Sequence, residues 1–457
     1  MPEAGFEPAC PEGQLILSQS RMPVPPLRLE QGEDSPAARD NRPVAADDQR
    51  LKTVGELCGF EGRLAGTDAE RRAANHLAGR LRALGRRVDL DPTYVHPQAP
   101  LIWAAHCALG LAGSLVSVAE PAIGFALALL AATSLYLDLN TRFYLLRRLF
   151  FRRASQNVVS PGSNPTAPAR LLLVAHYDAG RTGTVHQPRH VARAQRLARF
   201  LSFPHTRLLF WSLAALLPLL GARMAGVESN AISVLQLPPT LILLVAIFLL
   251  VDVQLSPVVP GANDNASGVA TTLALAERLR DDPAPNLDVW VVLTGAEECG
   301  MEGMRSFIRP RRKLFASKPT FVVAIDSVGA GEVRWVTSEG LTVSFPMDRR
   351  LAELCAAIAD ADEDGRYRAA PLRHGFATDA LAAHVARMRA TAIICLEPGA
   401  MVPANHHTHA DQPEAIEVAA LDRAEEFALD LIRALDRDVA RASDLPDREL
   451  EPASSGA

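Results

Sequence analysis

Lysine is almost missing from this chain of 457 residues. It occurs only at Lys52, Lys313 and Lys318, so the 47 basic residues are nearly all arginine. That skew is compositional and carries no functional meaning by itself. The net charge of −5 excludes the strongly basic surface of a nucleic-acid binder and the acidic tail of a charge-driven adaptor. Cysteine is scarce as well. Cys10, Cys58, Cys107, Cys299, Cys355 and Cys395 contain no Cys-x-x-Cys pair, which excludes a zinc ribbon and any evident disulfide framework. Such usage fits a reducing compartment, with Cys355 and Cys395 read as small buried hydrophobes. The start lacks the signature of a secretory signal. Residues 1–48 carry Pro, Glu and Asp with one short apolar patch at Leu15–Leu17 and are expected to be disordered, with Met22 as an alternative start. The Ser-, Pro- and acid-rich tail 439–457 is expected to be disordered too. There is no internal repeat.

Hydrophobicity is near average overall but uneven, and its placement matters more than its mean. One apolar block runs from Leu101 to Leu137 and is broken at Glu120-Pro121. Each half approaches the ~20 residues that cross a bilayer core, so residues 98–140 read as a transmembrane hairpin. A second block spans Leu208 to Val251. Its first half is short and interrupted by Arg223; its second half, Ala231–Val251, is uncharged and contains Pro238 and Pro239, which membrane helices tolerate. Residues 205–252 therefore read as a second hairpin, with two buried soluble helix pairs as the bland alternative. Each hairpin returns the chain to its starting side. The flanks there are basic: Arg147, Arg148, Arg152 and Arg153 after the first block, and Arg189, Arg193, Arg196, Arg199 and Arg207 before the second. The positive-inside bias predicts a multi-pass protein of the cell membrane with its main domain in the cytoplasm and membrane lipid as a partner.

The remaining segments, 49–97, 141–204 and 253–438, read as one interrupted domain. Residues 49–90 suggest a helix pair and then a short strand, Arg87–Leu90. Ala73, Leu77, Leu81 and Leu84 recur at helical spacing, and Gly85 is placed to end that helix. Continuous apolar runs at Leu171–Ala175, Val289–Leu293, Phe321–Ile325 and Ala392–Leu396 read as strands buried on both faces of a mostly parallel sheet. Helical stretches lie between them, for example Ala266–Leu279, Arg349–Ala359 and Leu421–Leu435. The pattern predicts an α/β fold, a three-layer α/β/α sandwich around a mostly parallel mixed sheet, interrupted by the two hairpins.

Chemistry-bearing residues cluster where those strands end, which is where open α/β sheets bind ligands. His176-Tyr177-Asp178 follows the first run. Gly261-Ala262-Asn263-Asp264-Asn265-Ala266-Ser267-Gly268 opens a helix. Glu297-Glu298 and Asp326-Ser327 follow the next two runs, and Asn405-His406-His407-Thr408-His409-Ala410-Asp411 comes late. Imidazole and carboxylate together suit zinc. Two adjacent ions need a shared carboxylate to offset their repulsion, and can then clamp an attacking water and a carbonyl oxygen together. Taken singly, each residue has an ordinary alternative: His176 a satisfied strand-end histidine, Asp264 a helix cap, Glu297-Glu298 a solvated pair, Asp326 a turn residue. Thr378-Asp379 and Glu397-Pro398 read equally well as pocket supports or as loop and cap residues.

Together these motifs resemble the M28 family of zinc peptidases: His176-Tyr177-Asp178 as the His-x-Asp, Asp264-Asn265-Ala266-Ser267-Gly268 as the Asp-Asn-x-Ser-Gly loop, Glu297-Glu298, Asp326, and His407-Thr408 with Asp411. His409 stands where the family often has proline. Gly62-Arg63-Leu64-Ala65-Gly66-Thr67 looks like the family's entry region, and the likeness covers about residues 50–97 and 155–435. The resemblance implies two zinc ions per chain. Asp264 bridges them, His176 and Asp326 complete one site, and Glu298 and His407 the other, while His406 and His409 only line it. It implies Glu297 as the general base acting on a metal-activated water, and Asp178 as the residue that orients His176. The implied function is that of a membrane-anchored aminopeptidase removing N-terminal residues from peptides. The alternatives are a carboxypeptidase or an amidase on another substrate, a one-zinc glutaminyl cyclase, and an inactive receptor or scaffold of the same fold. Substrate identity, native metal and oligomeric state are not legible.

Overall fold

The computed structural model describes residues 48–201, 204–227 and 229–443. The disorder expected at the N-terminus, the start at Met22 and Cys10 lie outside those residues, apart from Asp48, which caps the first helix. At the other end the last helix runs on to Ser443 instead of stopping at 438, because Val439 is still buried against the core; the rest of the expected tail lies outside the described residues.

Helix α1 is Gln49–Cys58 and α2 is Asp68–Ala83. Thr67 caps α2 by accepting from Glu70 N at 3.2 Å, while Glu70 accepts from Gly66 N at 2.7 Å, a reciprocal arrangement that fixes the helix start. Ala73, Leu77 and Leu81 form its buried stripe. Gly85 then takes a positive φ of 76°, and Arg86 N bonds back to Leu81 O, which ends the helix. The following strand lies further along than Arg87–Leu90: β1 is Asp89–Val95. It pairs antiparallel with β2, Arg153–Ser160, over its whole length. As the outermost strand of the sheet it tolerates Pro92.

Strands β3 (Ala169–His176), β4 (Leu287–Thr294), β5 (Thr320–Ile325) and β9 (Arg389–Leu396) form the parallel centre. β6 (Glu332–Glu339) runs antiparallel to β9 and pairs with β7 (Phe345–Pro346) and β8 (Ala370–Arg373). The order is β1-β2-β4-β3-β5-β9-β6-β7, with β8 beside β6. Leu171 and Leu173 of β3 enter the core under α8 (Gly268–Asp281), α10 (Arg349–Asp360) and α12 (Val418–Ser443). Leu172 and Val174 enter the opposite core, with α9 (Glu302–Ala316) and α11 (Asp379–Val385). Burial on both faces is why β3 is apolar at consecutive positions. Each such side chain contributes roughly 1.5–3 kcal/mol by leaving water.

The two apolar blocks form helices α3 (Ala99–Val116) and α4 (Pro121–Leu139), then α6 (Leu208–Met224) and α7 (Asn230–Leu255), with α5 (Pro188–Leu201) preceding the second pair. Among the described residues α3, α4 and α7 are long and apolar enough to cross a membrane, and α6 is shorter. The four pack as one bundle around Ala128, Leu135, Leu213 and Leu243. Arg223 faces into the bundle, donating to Gln236 Oε1 at 3.1 Å and Ser233 Oγ at 2.6 Å on α7. The α3–α4 pair occupies the β1–β2 connection, and α6–α7 lies between β3 and α8. Arg147, one of the basic flank residues, is buried and paired with Asp138, so it does not belong to the exposed basic flank.

Candidate metal centre

Three short loops at the carboxyl ends of β3, β4 and β5 converge with the kinked turn 262–267. The turn's own polar side chains explain its sequence. Asn265 donates to Ile325 O at 3.0 Å and accepts from Ser327 N at 3.0 Å. Asn263 Oδ1 accepts from Gly329 N at 2.7 Å, and Ser267 Oγ from Val328 N at 3.0 Å. These bonds lock the backbone carrying Asp264 to the backbone carrying Asp326. Asp411 completes the brace, accepting from Asn263 N at 2.6 Å and Asp264 N at 3.1 Å. Arg63, from the early segment, is buried with four backbone carbonyls around it: Leu57, Tyr177, Pro260 and Gly261. It therefore ties the end of β3 to the entry of the turn.

Asp264 lies at the middle, with a different histidine group at each oxygen. His176 Nε2 is 3.2 Å from Oδ1 and 3.7 Å from Asp326 Oδ1. On the other side His407 Nε2 is 3.5 Å from Asp264 Oδ2 and 3.1 Å from Glu298 Oε2. His406 Nδ1 lies 2.8 Å from the same Asp264 Oδ2, closer than its expected role of lining the site. The structure thus brings together His176, Asp264, Glu298, Asp326 and His407, and adds His406. His409 is exposed and takes no part in these contacts.

The donor set fits zinc. Nitrogen and oxygen ligands about 2.0–2.2 Å from a tetrahedral ion stand about 3.4 Å apart, close to the spacings within each group. Two sets of three donors gather tightly enough for a cation: His176, Asp264 and Asp326, and Asp264, His406 and His407. Gly180 faces the same space. A Cβ there would come within 2.6 Å of Glu298 Oε1 and 2.7 Å of His407 Nε2, so only glycine leaves that approach open.

Asp178 is buried, 3.5 Å from His176 Nδ1. Its oxygens accept from Glu297 N at 3.1 Å and Glu298 N at 3.2 Å, so one carboxylate aligns both the histidine and the glutamate pair. Burial opposes charge on His176, but Asp178, Asp264 and Asp326 outweigh it and raise the imidazole well above its ordinary value. Burial pushes the Glu297 carboxyl well up; Asp379, Glu298 and Asp326 add to this against the pull of His176.

Further residues surround the centre. Asp379 accepts from Thr294 Oγ1 at 2.5 Å, and burial pushes it up to about 7. Thr378 both caps α11 and donates to buried Glu339, so cap and support readings hold together. Glu397 is exposed beyond β9. The His186 ring lies 4.6 Å from that of His407, and Phe376 packs edge-on to His406. Among these Thr378-Asp379 and Glu397 drew attention in the sequence; Glu339, His186 and Phe376 are isolated polar or aromatic residues without a motif.

Comparison with solved structures shows the fold again. The chain is similar to the glutaminyl cyclase of Fimbriiglobus ruber (15% identity, 88% of this chain and 99% of that one, TM-score 0.50). It is also similar to a Zn-dependent exopeptidase from Parabacteroides distasonis (14%, 84% and 97%, 0.48) and a leucine aminopeptidase precursor from Bacteroides thetaiotaomicron (16%, 84% and 96%, 0.47). No curated protein sequence matches it. The family model "Peptidase family M28" matches residues 251–432. That matched segment supplies Asp264, Glu297, Glu298, Asp326 and His407 and is similar to peptidase family M28, whereas His176 and Asp178 lie before it.

Proposed function

We propose that this protein is a membrane-anchored, zinc-dependent metallopeptidase that removes N-terminal residues from peptides, with two ions held per chain. The observation that carries this reading is the position of Asp264, whose two oxygens face separate histidine groups. His176 and Asp326 would hold one ion, and Glu298 and His407 the other, with His406 beside it. Zinc held there would supply Lewis acidity, which polarises a scissile carbonyl and makes a water easier to deprotonate to a nucleophile. Glu297 takes the proton of the attacking water and passes it to the leaving amine. Its burial suits that task, because a carboxyl in a low-dielectric site holds a proton more readily. Asp178 keeps Glu297 and Glu298 in register and orients His176. Helices α3, α4, α6 and α7 anchor the protein in the membrane, with the catalytic sheet on the cytoplasmic side.

The test uses detergent-purified protein supplied with zinc, a peptide mixture that is partly N-acetylated, and mass spectrometry. Free peptides should lose N-terminal residues stepwise, acetylated ones should persist, and Glu297→Gln should abolish the reaction while zinc content stays at two. Loss of C-terminal residues would replace the aminopeptidase reading with a carboxypeptidase. The fold shared with the Fimbriiglobus ruber glutaminyl cyclase makes a peptide with N-terminal glutamine a necessary member of the mixture: release of ammonia with no residue lost would indicate cyclisation. No product and no bound zinc would leave a scaffold.

A further inference from the structure

The loop that carries Glu297 and Glu298 has an unfavourable backbone. Ala296 and Met301, which bracket it, adopt φ of 55° and 56°, and Gly300 adopts 88°. A left-handed conformation crowds the Cβ of a non-glycine residue against the following carbonyl oxygen. Such a loop persists only where its surroundings hold it. Asp178 holds one side, through the N–H groups of Glu297 and Glu298.

The other side is held from outside the strand-end cluster. Arg147, in the short turn after α4, is 1% exposed. Its Nη1 donates to Cys299 O at 2.7 Å, one residue after Glu298, and to Glu302 Oε1 at 3.1 Å. Its Nε and Nη2 donate to the two oxygens of Asp138, at 2.8 and 2.7 Å. Asp138 belongs to the last turn of α4 and also accepts from Trp103 Nε1 of α3 at 3.2 Å. Glu302 is held in turn by His96, through its N–H at 2.6 Å and Nδ1 at 2.8 Å, and the Arg147 guanidinium lies over the Tyr144 ring. One planar cation thus joins both helices of the first hairpin to the loop of the candidate base, using the fork geometry that only arginine offers.

We propose that Arg147 is a positioning residue: anchored by Asp138, it fixes the Cys299 carbonyl and thereby the 296–301 loop, so that the placement of Glu297 and Glu298 depends on the first helical hairpin. The roles of the two glutamates rest on the metallopeptidase reading; the mechanical link does not.

Removing a buried charge from this network would leave Asp138 and Glu302 uncompensated and endanger folding. The decisive variant is therefore Arg147→Lys, which keeps the charge but cannot satisfy Asp138 and Cys299 at once; Asp138→Asn loosens the same anchor from its far end. Both are to be compared with wild type, full-length in detergent, by amide hydrogen exchange and by peptide hydrolysis. In Arg147→Lys, exchange in segment 296–302 should rise at least tenfold while that of β3 is unchanged. The kcat should fall about 10–100-fold with KM within about twofold, and Asp138→Asn should move in the same direction. A folded Arg147→Lys with wild-type exchange in 296–302 and wild-type kcat overturns the proposal. So does a uniform rise of exchange across β3 and the loop in both variants, which would mark a merely structural role. Should wild type hydrolyse no peptide, the peptidase reading fails, and the exchange contrast still decides the link.

Discussion

Replacing Asp178 with asparagine changes one oxygen to an amide nitrogen, and the surrounding geometry sets what that change does. Both carboxylate oxygens are occupied, by Glu297 N–H at 3.1 Å and Glu298 N–H at 3.2 Å. An amide keeps one of these bonds and turns a donor toward the other N–H. Losing a hydrogen bond to a charged acceptor costs about 1.5–3 kcal/mol. The same substitution weakens the partner of His176 Nδ1, and loss of such support lowers metal affinity about 10–100-fold. Asp178→Asn should therefore bind zinc 10–100-fold more weakly, by roughly those factors, in competition with a chromophoric chelator. At saturating zinc its kcat should still be reduced about tenfold or more, because the Glu297–Glu298 loop is held at one oxygen instead of two. A variant with wild-type zinc affinity and wild-type kcat would refute the role assigned to Asp178.

Three further outcomes are expected. Glu339 is buried beside Thr378, with Asp326 and Asp379 near, and its carboxyl is pushed up to about 8. Its folded value exceeds the unfolded one, so the folded state holds the extra proton. The contribution of Glu339 to stability should be fully present below about pH 4.5 and be lost as pH rises toward 8. Glu339→Gln should flatten that dependence in thermal unfolding scans from pH 5 to 8. A Cβ on Gly124 would lie 2.5 Å from Ser117 N, Cα and Cβ, where α3 and α4 meet; Gly124→Val should cost about 1–3 kcal/mol by overpacking, seen as a lower melting temperature in detergent. Chelation should abolish hydrolysis, and zinc at 100 times its Kd should restore it and stabilise the fold by about 2.7 kcal/mol per site, read from the shift in unfolding.

The central strands were legible because burial on both faces leaves an apolar run that little else produces. β2 was not, since Arg153–Ser160 is mostly polar. Its polar groups are satisfied by partners far away in sequence, Ser155 by Glu70 and Asn157 by the Gly303 carbonyl. β1 was misplaced by a few residues for a related reason: an edge strand with an exposed face carries only a weak alternation. At the candidate site, His176, Asp264, Glu298 and Asp326 could be singled out because each lies at a strand end or a helix start within a motif, and His407 because Thr408 and Asp411 follow it. His406 was given a minor role because Thr408 follows His407 instead, and only the fold shows the His406 Nδ1 at Asp264. Arg147 shows the limit most clearly. In sequence it is one arginine among several after an apolar block, where the membrane rule assigns it to the surface. Its burial depends on Asp138, Cys299 and Glu302, and the last two follow more than 150 residues later.

The position of the hairpins within the sheet also constrains how the protein is made. Among the described residues β1 and β2 join the rest of the sheet only through β4, and β3 also pairs with β4. β4 is translated after both α3–α4 and α6–α7, as are Asp264, Glu298, Asp326 and His407. In the proposed placement the ribosome therefore delivers both hairpins to the bilayer before the sheet's centre can assemble or a metal pocket can exist. On that proposed reading the nascent chain holds no complete metal site until both hairpins have been made, so it would be inert before it reached the membrane.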